Sequence, residues 1–146
     1  MLSDLLKKLV QPEPDALDAL DAQLALMSLL VRLAKSDGYY AAGEIIHIEK
    51  IAMARFAVSH DRAAELRAEA ERVEAEAPDT VRFTNAIKET VPYDERVGVI
   101  EALWQVALAD GERDHDEDSL IRMAASFLGV NDRDSARARQ RVAGDA

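Results

Sequence analysis

The chain has 146 residues, 18 basic and 28 acidic side chains, a net charge of -10 and no cysteine. These figures exclude disulfide scaffolds, thiolate nucleophiles and cysteine-based metal centres. They also argue against nucleic-acid binding, because phosphate backbones call for basic patches.

Hydrophobic residues make up 49% of the sequence, enough for one self-sufficient core at this length. Alanine occurs 26 times, aromatics are 5%, and no segment alternates with period 2, so every element reads as helix. Met1 to Val10 places Leu2, Leu5, Leu6 and Leu9 on one face, and Pro12 and Pro14 break it. From Asp15 to Lys35 apolar residues occupy two faces, which predicts a central, largely buried helix. Ala42 to Val58 is apolar through Ile45, Ile48, Ile51 and Phe56, and Ser59 is placed to cap a charged helix over Asp61–Ala77. His60 reads as a loop residue, and the run from Glu65 to Glu76 as a solvated face with i,i+4 charge pairs. A short helix through Phe83 and Ile87 ends near Pro92. Asp94 is then expected to cap an amphipathic helix carrying Val97, Ile100, Leu103, Trp104 and Ala107. The last two helices span about Asp116–Leu128, with Gly129 as C-cap, and about Asp132–Val142.

The prediction is a single all-α compact domain of seven to eight helices. Residues 1–13 form an N-terminal amphipathic helix and turn, 16–130 the core, and 131–146 a C-terminal helix and tail. The longest apolar run, Leu24 to Val31, is too short to span a bilayer, and no signal sequence is visible. The chain is therefore expected to be cytoplasmic and not an integral membrane protein.

A shift of 73 residues brings two segments into register. Asp37-Gly38 falls on Asp110-Gly111 and Glu44 on Glu117, giving Asp-Gly-x5-Glu twice. Leu30 then matches Leu103, Ala34 matches Ala107, Ile48 matches Ile121 and Ala52 matches Ala125, which predicts a duplicated helix–loop–helix core. These residues resemble the two signature loops of the TerB-like tellurite-resistance domain family, an all-helical fold also found at the N-terminus of some membrane-anchored J-domain co-chaperones. The resemblance covers roughly Ala16 to Val130. It implies a non-enzymatic metal-binding or protein-docking module of a tellurite- or stress-response type. It also implies a protein partner associated with the membrane, and hence a place at the membrane's inner face. Carried over residue by residue, it picks out Asp37, Glu44, Asp110 and Glu117. The first loop departs from an acidic pattern, with Tyr39, Tyr40, Ala41 and Ala42 where acids could sit.

The spacing Asp-Gly-x5-Glu also occurs in EF-hand loops, but the ligand positions before it hold Leu33 and Lys35, or Val106 and Leu108, so this is no EF-hand. The second loop concentrates Asp110, Glu112, Asp114, Asp116, Glu117 and Asp118 within nine residues. Oxygen-only donors of this kind favour Ca2+ or another divalent cation, bound weakly, with Asp110 and Glu117 as anchors and Asp114 or Asp116 assisting. The same acids have a structural reading, since carboxylates at a helix start complement its dipole and Asp114 stands at capping-box spacing from Glu117. On that reading the chain is a pure protein-interaction adaptor. Glu44-x-x-His47 has the spacing of a di-iron ligand pair but lacks the second helical pair such sites need. No pair of catalytic groups stands out, so no enzyme is expected.

Overall fold

The computed structural model describes residues 18–36, 38, 40, 42–77, 79–109 and 115–144. Within them the chain forms seven helices: α1 (Asp18–Lys35), α2 (Ala42–Phe56), α3 (His60–Glu76), α4 (Val81–Thr90), α5 (Tyr93–Ala107), α6 (His115–Phe127) and α7 (Asp132–Gly144). No strand occurs among the described residues. The all-α expectation holds; the helix expected over residues 1–10 and its two prolines lie outside the described residues.

The two-sided apolar pattern of the first long helix has its expected consequence. α1 lies at the centre and packs against α2, α3, α4, α5 and α6. Met27, Leu29, Leu30, Val31, Leu33 and Ala34 are fully buried. Ser28 is equally buried, but its Oγ donates to Leu24 O at 2.8 Å, so no polar group is left unsatisfied there.

The duplication is a real structural repeat. Leu30, Leu103, Ile48 and Ile121 are all fully buried, and Ala34, Ala107, Ala52 and Ala125 join the same core. Most helix contacts are reciprocal: α2 packs on α1 as α6 packs on α5, and α3 on α1 as α7 on α5, though α2 also packs on α3 where α6 and α7 have no comparable contact. The pairing also crosses over, α2 touching α5 and α6 touching α1, with α1 and α5 side by side between them.

Helix ends follow local chemistry, with three departures from the expected boundaries. Ser59 caps α3 as expected, its Oγ accepting from Arg62 N at 3.1 Å, but His60 is the first residue of that helix. Asp94 does not cap α5. Pro92, extended at φ -68° and ψ 162°, holds that position, and its carbonyl accepts from Glu95 N and Arg96 N at 3.0 Å. Asp94 falls in the first turn, where its charge still complements the dipole. α2 stops at Phe56 because Ala57 turns left-handed at φ 54°. α6 also exits through a left-handed residue, Gly129 at φ 73°, one place earlier in the 73-residue register. Gly129 N bonds Ser126 O and Val130 N bonds Ala125 O, the paired bonds of a Schellman end.

Candidate functional site

The two Asp-Gly loops begin where α1 and α5 run out of helix. After α1, Ser36 N and Oγ both donate to Leu33 O, and Gly38 N donates to Lys35 O at 2.9 Å. Gly38 sits at φ 83°, a conformation that favours glycine. Tyr40 OH then donates to Glu71 Oε2 at 2.7 Å, latching the first loop to α3. Burial and this bond to a carboxylate both push the Tyr40 hydroxyl up, so it stays a donor at any ordinary pH. The tyrosine that broke the acidic pattern of the first loop therefore has a structural task. After α5, Leu108 N donates to Trp104 O at 2.9 Å and Ala109 N to Val106 O at 3.3 Å.

Both loops lead to a helix whose first turn holds a glutamate, Glu44 in α2 and Glu117 in α6. Glu44 is half-buried and Glu117 only 4% exposed. Asp37, Asp110 and Asp114 lie outside the described residues, as does the side chain of Asp116. Among the described residues no three acidic or imidazole side chains gather as a metal centre. The crossed packing nevertheless sets the flank of each loop beside the helix that follows the other loop. Ser36, just after α1, shares a groove with Ser119 and Leu120 of α6. Ala109, just after α5, shares another with His47 of α2.

His47 Nε2 lies 3.0 Å from Gln105 O. A carbonyl can only accept, so the ring nitrogen donates, and this nitrogen is unavailable as the di-iron ligand that the Glu44-x-x-His47 spacing suggests.

Sequence reasoning missed the polar network beside the first loop. The run from Glu65 to Glu76 is no simple solvated face. Glu74 is 7% exposed, and its carboxylate accepts from Lys35 Nζ at 2.7 Å and Arg32 Nε at 3.0 Å. Burial pushes the Glu74 carboxyl up, but the bonds and charges of Lys35 and Arg32 outweigh it and hold the group below the usual range. Arg32 also donates to Ala77 O at 2.8 Å and to Thr80 Oγ1 at 3.3 Å, closing the joint between α3 and α4. A second cluster pairs Arg67 with Glu49 and Glu71, and Glu49 with His60. One sequence signal was available: Arg32 is the only charge between Ala22 and Ala34.

No helix among the described residues is long and apolar enough to cross a membrane. No curated protein and no solved structure matches the chain. A family model described as "Tellurite resistance protein TerB" matches residues 23–140, a span that reaches into all seven helices. With most of its length matched, and with both signature loops opening onto equivalent helices, the chain belongs to the TerB family of tellurite-resistance domains.

Proposed function

We propose that this TerB domain is a non-enzymatic binding module, working in the cytoplasm with a membrane-associated protein partner, that holds a divalent cation between its acidic loops. The observation that supports this reading is that the flank of each loop shares a groove with the helix that follows the other loop. Alone, the first loop offers Asp37 and Glu44, fewer charged ligands than Ca2+ ordinarily uses. On this reading the two loops pool carboxylates. Asp110 and Glu117 are the anchors, Asp114 or Asp116 assists, Asp37 and Glu44 contribute from the first loop, and water completes the shell. The donor set is all oxygen, which fits Ca2+ or Mg2+ better than a transition metal. The cation would relieve repulsion among crowded carboxylates, so affinity should be weak and should fall only as those groups protonate.

Calorimetric titration with Ca2+, Mg2+ and Mn2+ after chelator treatment tests the reading. Heat is expected from the parent and none from Asp110→Asn/Glu117→Gln, while Asp37→Asn/Glu44→Gln weakens binding less. Because Glu117 is buried, Asp110→Asn/Asp114→Asn serves as the variant least able to disturb folding. Absence of heat and of any thermal shift at millimolar cation would leave the second reading, an interaction adaptor whose acids only cap helices. One observation favours that alternative: Glu117 occupies a first turn and is nearly inaccessible, as a purely structural carboxylate would be.

A further inference from the structure

The crossed packing creates two grooves at equivalent places in the repeat. One, of about 490 Å³, lies between α1, α3 and α6. The other, of about 790 Å³, lies between α2, α5 and α7. They differ in chemistry. In the smaller groove α6 presents Leu120 and Met123, and the cations Arg32 and Lys35 are both bound to the carboxylate of Glu74. In the larger, α2 presents His47 and Lys50 at the positions of Leu120 and Met123. Lys50 is exposed and makes no ion pair among the described residues. Arg55 and Arg141 also line this groove and share one carboxylate, Glu101. Among the described residues that line it, three cations therefore face one anion, on a chain whose net charge is -10. Beneath them Ile51 is buried and Val142 packs against the core, giving the groove an apolar floor.

We propose that this groove docks an acidic amphipathic helix of a partner protein, its leucine-like face on the floor and its carboxylates on the Lys50–Arg55–Arg141 rim. Charge complementarity selects the sign of the partner, since the described residues of the rim carry the opposite sign to the whole molecule. The apolar floor selects a helix over a small anion. An anion in a groove this open would gain only weak, screened surface pairs, whereas a helix also buries the floor. The inference does not depend on cation binding at the loops.

The probe is a fluorescein-labelled 15-residue peptide with leucine at every third and fourth position and glutamate elsewhere, read by anisotropy against the full chain in chelator. Saturable binding is expected, weakening as ionic strength rises. Replacing its glutamates by lysine should abolish binding. Lys50→Glu/Arg141→Glu, both at exposed positions, should weaken binding about tenfold or more. Met123→Glu, in the equivalent groove, should leave it within about twofold. Equal binding by the double variant, or no preference for glutamate over glutamine in the peptide, overturns the proposal. Complete competition by inorganic phosphate at fixed ionic strength would make the groove a small-anion site instead. A parent dimer that Lys50→Glu converts to monomer in sedimentation would give it to a second copy of this chain.

Discussion

The two halves of the repeat share a plan but are held together differently. The first half ties its outer helix down twice: α3 buries Ala63, Leu66 and Ala70 against the core and adds the Glu74 carboxylate bound by Arg32 and Lys35. The second half relies on less. α7 buries only Ala138, supported at its edges by Arg139 over the Trp104 ring at 5.4 Å, Tyr93 OH on Asp134 and Arg141 on Glu101. Corresponding helices in one fold can thus be tied down by a partly buried ion pair or by surface contacts, and the two should fail under different insults.

The largest effects should come from apolar anchors. Leu66→Ala is expected to cost about 3 kcal/mol in denaturant unfolding, while Ala138→Gly costs about 1 kcal/mol. In the parent, amide exchange should show α7 opening at lower free energy than α3. Equal protection of the two helices would break the comparison.

Next are the acids that receive two cations each. Glu74→Gln leaves the largely buried Arg32, and the more exposed Lys35, without their counter-charge, and about 2 kcal/mol should be lost. Glu101 likewise serves two guanidiniums, but Arg141 is half-exposed, so Glu101→Gln should cost less than about 1 kcal/mol. The comparison sharpens with pH. The folded state holds the Glu74 pKa below its unfolded value, so the stability it contributes is complete above the ordinary carboxylate range. That contribution is lost as pH falls through the depressed folded value. Melting curves of the parent and Glu74→Gln should therefore differ at neutral pH and converge in acid.

The smallest test compares the two left-handed exits. Ala57 strains the end of α2, and Ala57→Gly should raise stability by about 1 kcal/mol. Gly129→Ala should lower it by at least about 1 kcal/mol, because the added Cβ would also lie 3.4 Å from Arg96 Nη1. If both substitutions shift the melting temperature in the same direction, left-handed backbone does not govern both exits.

Much of this was legible in the sequence because it depends on local pattern. Helix period, the matched pairs Leu30/Leu103 and Ile48/Ile121, the Ser59 cap and the Gly129 stop all follow from neighbours within a turn or from the 73-residue register. The Tyr40–Glu71 latch and the Arg32–Glu74 pair were not legible, since their partners lie 31 and 42 residues apart and meet only after α3 folds back on α1. The cationic groove was hidden for the same reason. Lys50, Glu101 and Arg141 sit on three separate helices, and each alone reads as an ordinary surface charge. The displaced cap of α5 has a simpler cause: Pro92 already supplies an extended residue with a free carbonyl, so the helix starts before Asp94 is reached.

The crossed pairing of α2 with α5 and α6 with α1 is the arrangement two identical hairpins would adopt as a symmetric dimer. In such a dimer every substitution appears twice, so a lysine that opens one groove opens both. Here α4, seated through Phe83 and Ile87, carries the chain from one hairpin to the other and joins them covalently. The two copies therefore share no codons. Leu120 and Met123 can close one groove while His47 and Lys50 leave the other cationic, and an architecture of near-symmetry becomes a molecule with distinguishable sides.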